Sequence, residues 1–482
     1  MSRLVKVKLE LVDKDHLIAN RIVADVSGQW ERKLLSMSPI SRSCTLDRSF
    51  ERGGFTLLLD DTDGDFQEMM ADEDNRKIKD KTVTIYAYGQ DDGTLKETIT
   101  ATIQNWSRPN DGQFQIECVQ EFGGKMKSLP SDKVISATDW PNAPAYSLGY
   151  KIRYPSGVCH HGAGSIHCRR VDNRPNAKYL ITWSDPGDDA RILTVEQVFA
   201  GVPRLLIANL AHYTLVKDAN GWEYITLDDA YKDYAYCTLN LTARASQVSA
   251  GNPVDYLREQ LANAGVTLVD DGAGGTDDME AFCDTNLWGM RGALDTETVR
   301  EFLEIWCWNF DCFWRIDALG QVHIKHIDWS SITADATMNL HHFEEFKEEA
   351  NNDEFANRIR AKYNYDYGNH KWDNESVTNS TGGDILPATN PVERTEEYAI
   401  GVYSGAVTPM QSQIKYYDHP LQTITATVSL YTYETLGLEL LAIVDATHYK
   451  QIGGSGKYLV LHETVDYFNA TVEIRAIRLW GA

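Results

Sequence analysis

The pattern that most limits how this chain folds is strict two-residue alternation at both of its ends. Near the start, Val5, Val7, Leu9 and Leu11 alternate with Lys6, Lys8 and Glu10. Near the end, KYLVLHETVDYFNATVEIRAIRLW (457–480) holds two such runs around a short turn. A period of two places alternate side chains on opposite faces of a strand, so both ends are expected to form half-buried sheets. Between them the periodicity changes. NPVDYLREQLANAG reads as a helix, with Asn252 as cap, Pro253 in the first turn, Val254, Leu257 and Leu261 on one face and Gly265 at the stop. From Asp295, Val299, Phe302, Leu303 and Trp306 recur at helical spacing, and CFWRIDALGQVHIKHI (312–327) follows as a predicted hairpin. The expected fold is therefore mostly β with α+β parts, divided among several domains, as a length of 482 residues requires.

Boundaries follow from turn chemistry. Val83, Ile85 and Ala87, then 98–106 and 114–120, are strand signals separated by QDDGT and RPNDG, giving a β-rich region over 1–128. The segment SLPSDKVISATDWPNAPAYSLGY (128–150) lacks periodicity and marks a boundary. A second β region is expected over 129–247, with KDANG joining 213–216 to 222–226 as a hairpin. A small α+β region then spans 248–345, and β signals return in ANRIRAKYNYDY and TITATVSLY over 346–482. WDNESVTNSTGGDILPATNP (372–391) reads as a polar loop too long and too biased to pack. The runs Asp270–Glu280 and Glu344–Glu354 read as solvated faces. No short internal sequence repeat is visible, although β-rich ends around a mixed middle leave room for two related β domains.

Charge and motifs exclude several classes. The net charge of −24 argues against a surface that grips phosphate backbones. No apolar run is long enough to span a membrane, and the alternating N-terminus lacks a signal-peptide core, so synthesis in the cytosol is expected. Eight scattered cysteines without a CxxC pair suit reduced, mostly buried thiols. Asp61, Asp63 and Asp65 match the first positions of a calcium loop, but position 6 is Phe66 and position 12 is Asp72, where glycine and glutamate are needed. A strand, a turn at Asp63-Gly64 and a short helix bearing Phe66, Met69 and Met70 is the better reading. Cys159, His161, His167 and Cys168, with His160 between them, are the candidate ligands for a metal or iron–sulfur centre. Their spacing matches no standard zinc site, and the expectation is no cofactor. His323 and His326 are three apart on a predicted strand, which puts them on opposite faces. The aromatic block Trp306 to Trp314 with Cys307 and Cys312 reads as core. No nucleophile elbow, HExxH or phosphate loop occurs, so no catalytic residue is assigned.

The order of LLLDDTDGDFQEMM (57–70), KTVTIYAYG (81–89), NPVDYLREQLANAGV (252–266), GALDTETVREFLEIWCWNFDCFWRIDALGQVHIKHI (292–327), NRIRAKYNY (357–365) and YLVLHETVDYFNATVEIRAIRLW (458–480) resembles the tail hub family of tailed bacteriophages. That family includes contractile-tail baseplate hubs and the N-terminal part of siphophage tail-associated proteins. The resemblance implies two tail-tube-like β domains flanking the β insertion and the α+β domain, and a homotrimer whose six such domains form a pseudo-sixfold ring in the virion tail tip. It implies as partners the tail tube or distal tail protein, a central spike or fibre, and a tape-measure protein. DNA would pass through without sequence-specific binding, and the chain would not insert into a membrane. GVCHHGAGSIHC has no place in that pattern. A wall-degrading enzyme and a receptor-binding or distal tail protein are the competing expectations.

Overall fold

The structure is a computed structural model that describes residues 4–480 except 12–14, 26–27, 72–75, 90–92, 121–133, 153–154, 156–157, 160–165, 173–176, 185–188, 201–204, 208–211, 229–233, 244–251, 272–273, 286–288, 292–297, 318–319, 367–370, 381–389, 399–400, 404–411, 449–450 and 452–453. It is mostly β and built from several sheets. The first sheet gathers β1 (Val5–Glu10), β2 (Asp15–Ala19), β3 (Val23–Asp25), β4 (Gly28–Arg32), β5 (Leu34–Met37), β8 (Phe55–Asp60), β9 (Thr82–Tyr88), β10 (Leu95–Ser107) and β11 (Gln113–Val119). Their order is β3-β4-β2-β1-β9-β10-β11-β8-β5. Alternation decides which face is buried: Val83, Ile85 and Ala87 point into the core with Ile99, Ala101 and Ile103, while Thr84 and Thr100 face outward. Helix α1 (Asp65–Ala71) closes this core with Phe66, Met69 and Met70. Between β5 and β8 the chain leaves the sheet as the hairpin β6 (Ile40–Cys44) and β7 (Phe50–Arg52).

The second β region holds β12 (Val158–Cys159), β13 (Ile166–Asp172), β14 (Ala177–Trp183), β15 (Ile192–Ala200), β16 (Leu205–Ile207), β17 (Tyr213–Lys217), β18 (Trp222–Leu227) and β19 (Tyr236–Ala243). One face forms a core around Tyr179, Ile225, Leu239 and Leu241. The turn-rich stretch before it is more than a linker, since Trp140 packs edge-on against Tyr224 and Trp222.

The α+β unit comprises α2 (Pro253–Asn263), β20 (Leu268–Val269), α3 (Thr276–Thr285), β21 (Gly289–Arg291), α4 (Val299–Asn309), β22 (Cys312–Ile316) and β23 (Val322–His326). Asn252 Oδ1 accepts from the Val254 backbone N–H, so the predicted cap is present. Helix α3 is a departure. The acidic run over Asp270–Glu280 was expected to be a solvated face, yet Thr276, Met279 and Cys283 are buried at one-turn spacing beneath an acidic first turn. The aromatic block is core as expected, with Trp306 and Trp314 fully buried.

The last sheet contains β24 (Ala336–Met338), β25 (Glu345–Asn351), β30 (Leu421–Ser429), β31 (Ile443–Ala446), β32 (Gly456–Asp466) and β33 (Thr471–Arg478), in the order β24-β31-β32-β33-β30-β25. Helix α5 (Leu430–Leu436) follows β30, capped by the Ser429 side chain and ended by Gly437 at φ 64°. Between β25 and β30 lie β26 (Arg358–Asp366), β27 (Lys371–Asn379), β28 (Glu393–Tyr398) and β29 (Gly401–Tyr403), of which the first three form a sheet ordered β27-β26-β28. The segment expected as an unpacked loop over 372–391 is thus corrected in its first part: residues 371–379 form β27, paired with β26 along its length. Its residues are polar because the strand is largely exposed and is braced by the Arg360–Glu375 ion pair, so no apolar alternation advertises it. Residues 381–389 lie outside the described residues.

The two large sheets repeat one topology. Strand, helix and three strands run β8-α1-β9-β10-β11 in the first and β30-α5-β31-β32-β33 in the second, with sheet orders β9-β10-β11-β8 and β31-β32-β33-β30. The match extends to single residues. Asp80 donates its N–H to Ile103 O, and Leu441 donates to Val460 O, both at 2.8 Å; Ile103 N–H returns to Lys81 O and Val460 N–H to Ala442 O, both at 2.9 Å. Asp80 and Leu441 share the left-handed conformation, with φ 65° and 75°. So do Gly112 and Ala470, at φ 73° and 59°, whose carbonyls receive the N–H groups of Asp61 and Leu430. A β-bulge follows Ile103 in β10 and Val460 in β32. The inner faces of both sheets belong to one contiguous core. The outer faces differ: Leu459, Leu461, Ile443 and Ile477 of the second repeat are covered by the α+β unit, whereas the outer side chains of the first, such as Thr84 and Thr100, are exposed or half-buried.

Candidate assembly site

The element that ties these parts together is the β6–β7 hairpin. Its turn is local chemistry: Thr45 N–H donates to Ser49 O at 2.9 Å, Arg48 N–H to Thr45 O at 3.0 Å, and Ser49 N–H to Thr45 Oγ1 at 3.2 Å. The outer edge of β6 then adds to β32, antiparallel, in the register Ile40↔Val465, Ser41↔Thr464, Arg42↔Glu463 and Ser43↔His462. The first repeat thereby lends a strand to the second.

Charge fixes this register. The Glu463 carboxylate, 1% exposed, accepts from Arg42 Nη1 at 3.0 Å, Tyr433 Oη at 2.7 Å and the Leu440 N–H at 2.9 Å. Arg42 also pairs with Glu97 of β10, and Glu97 accepts from the Tyr467 hydroxyl. One guanidinium therefore joins a carboxylate of each repeat. A slip by one residue would turn Arg42 to the other face and leave Glu463 buried without its cation. Burial, together with Glu463, holds the Tyr433 hydroxyl well above the ordinary tyrosine range, so it stays a donor.

The hairpin tip anchors in the α+β unit. Arg48, fully buried, donates to Asp311 Oδ1 at 2.7 Å and to the Leu46 carbonyl, and its guanidinium lies 4.0 Å from the Phe313 ring centroid. Trp314 Nε1 donates to Arg48 O at 2.7 Å. Burial pushes the Asp311 carboxyl up to about 7 despite the neighbouring guanidinium. Arg48 and Asp311 both adopt positive φ, 68° and 53°, backbone strain that the packing around the pair sustains. Arg52 donates to the Ile316 and Asp317 carbonyls, and Arg300 reaches Ser49 Oγ at 3.1 Å.

The residues singled out by sequence fall elsewhere. In the acidic turn, Asp61 is buried and accepts from the Phe66 N–H at 2.8 Å, so it caps α1, while Asp63 and Asp65 share Lys33 Nζ. Gly64 takes φ 81°, as the turn reading requires. Asp63 is half exposed and Lys33 keeps Asp65 when it is lost, so Asp63→Ala is expected to cost about 1 kcal/mol or less in urea unfolding and to leave assembly intact. A loss above about 3 kcal/mol would show that the turn does more.

His167 and Cys168 are successive residues of β13, so their side chains leave opposite faces of the sheet. Cys168 is buried directly opposite Cys237, while the His167 ring lies against Tyr236. The structure does not bring these two together on one ligand. His161 and the Cys159 side chain lie outside the described residues. Among the described residues no group of three or more histidine, cysteine, aspartate or glutamate side chains converges on a metal position, and no helix is long and apolar enough to cross a membrane. His323 is held by Asp271 and Asp317, and buried His326, its pKa lowered by desolvation to about 4, packs on Phe282. His326 borders a cavity of about 720 Å3 with Asp278, Lys325, Trp329 and Ser331. The seven described cysteines are free thiols and buried.

No family model matches the chain, and no curated protein matches it. Among solved structures, it is similar to the 43 kDa tail protein of prophage MuSo2 from Shewanella oneidensis, at 10% identity and TM-score 0.44, with 98% of each chain covered. It is also similar to a tail protein from Neisseria meningitidis MC58, at 9% identity and TM-score 0.42 over 99% of this chain and 98% of that one. These likenesses are to tail proteins. A third is prophage tail protein gp18 from Listeria monocytogenes EGD-e, at 10% identity and TM-score 0.31, covering 99% and 94%.

Arg42, Arg48 and Glu463 escape sequence reasoning because each acts on a partner far along the chain. The Arg42–Glu463 contact spans 421 positions and Arg48–Asp311 spans 263. The one local signal is two arginines, Arg42 and Arg48, in SRSCTLDRSF between two strand runs.

Proposed function

We propose that this chain is a structural hub of a bacteriophage tail tip, with three copies arranged so that six repeats surround a conduit. The observation that carries the proposal is the internal repeat whose two members share a core, the first lending a strand to the second. Two repeats per chain let a threefold assembly present six similar units, which is what a junction between a hexameric tube and a threefold spike or fibre requires. The α+β unit and the second β region then decorate the ring. A net charge of −24 suits a wall past which DNA and a tape-measure protein move without adhering.

Imaging of the assembled tip, or its mass, is expected to give three copies per ring. Six copies of this chain in one ring would overturn the proposal. The chain is expected to work by shape, so the pure protein should not clear a peptidoglycan suspension. Hydrolysis that is lost on changing one carboxylate with the fold intact would favour a wall-degrading enzyme instead.

A further inference from the structure

In the second repeat, the β32 edge just beyond the bulge, at His462–Val465, is filled by β6 of the first repeat. The matching edge of the first repeat is the end of β10. There β9 stops pairing at Thr102, with one further contact from Lys81 and Asp80 to Ile103, while β11 continues on the other side to Ser107. Among the described residues no strand lies on the β9 side of Gln104–Ser107. Asn105 and Ser107 are exposed, and the Trp106 N–H is met by the preceding side chain, Asn105 Oδ1, at 2.9 Å.

We propose that this edge takes a strand from a second copy of the chain, repeating between copies the β6–β32 pairing made within one. The occupant follows from the repeat. The donor β6 leaves its own sheet between β5 and β8, and the matching interval of the second repeat, between β25 and β30, carries the β27-β26-β28 sheet. Its outer strands β27 and β28 each pair on one side only among the described residues, and Val377 of β27 and Val392, which immediately precedes β28, are 42% and 37% exposed. Such an edge is a template for pairing with another chain. Because the donor lies in one repeat and the acceptor in the other, the contact is heterologous and propagates from copy to copy until rotation closes a ring. The inference rests on the ring reading above and names the surface by which it would close.

Hydrogen exchange on the full-length chain tests it. In the oligomer or assembled tip, amides of Gln104–Ser107 are expected to exchange at least tenfold more slowly than in dilute monomer, together with amides of β27 or β28. Trp106→Pro, which removes the N–H that faces the open edge, is expected to weaken self-association at least tenfold while circular dichroism is unchanged. If that variant fails to fold, exchange on the unmodified chain decides alone. A threefold ring with 104–107 exchanging as in the monomer overturns the edge assignment and leaves the hub reading standing. A chain that forms no ring in solution at millimolar concentration or in the assembled tip overturns both.

Discussion

Leu59→Asp is expected to unfold the first sheet and, with it, the last. Leu59 is fully buried on β8, opposite Phe114 of β11 and Leu34 of β5, in the core that both repeats share. An aspartate there has no cation to meet. Its burial as an ion costs more than the about 5 to 15 kcal/mol by which a domain is ordinarily stable, and protonating it to avoid that cost still leaves a polar group in an apolar site. Circular dichroism should show lost β signal at 25 °C, and near-complete retention of the wild-type transition would contradict the shared core.

Arg48→Met is expected to lower stability by about 3 to 5 kcal/mol, the usual consequence of removing one member of a buried ion pair. The loss has a pH dependence whose sign follows from Asp311. Its folded pKa, about 7, lies above the unfolded value near 3.8, so its stabilising contribution is fully present below that unfolded value and is lost as pH rises through about 7. Without the guanidinium the carboxyl is held still more strongly in its neutral form, and the damage is therefore larger at pH 8 than at pH 5. Asp311→Asn in the Arg48→Met background should recover part of the loss at pH 8 and little at pH 5. Urea denaturation at the two pH values measures this, and equal losses would show that Arg48 contributes through packing alone.

The strands were legible where one face is buried and the other wet, because alternation then survives in the residues themselves. β1, β9 and β33 are of this kind, and so is the helix opened by Asn252 and Pro253. β27 was not, since its exposed, charge-paired side chains read as a loop, and α3 hid its short apolar stripe under an acidic first turn. The repeat was illegible for a different reason. Backbone conformation is shared where residue type is not: aspartate stands for leucine at 80 and 441, and glycine for alanine at 112 and 470. Even the faces differ, because β32 is apolar on both sides beneath the α+β unit while β10 carries Thr100 and Thr102 on its outer side. The junction between the two repeats and the α+β unit depends on Arg42, Arg48, Asp311 and Glu463, whose meeting is a property of the closed fold and of no local spacing.

The pairing of β6 with β32 also sets a timetable for biosynthesis. Ribosomes add about 5 to 20 residues per second, so the β6 edge waits roughly 20 to 80 seconds for the strand it must join, 421 positions later. During that interval the nascent chain carries an open edge and an Arg42 side chain that has met Glu97 but not Glu463. Premature termination anywhere before Glu463 would leave that edge permanently open to other nascent chains, so truncated products should be cleared by proteases or found in aggregates, and completion of β32 is the step that makes the molecule safe to release.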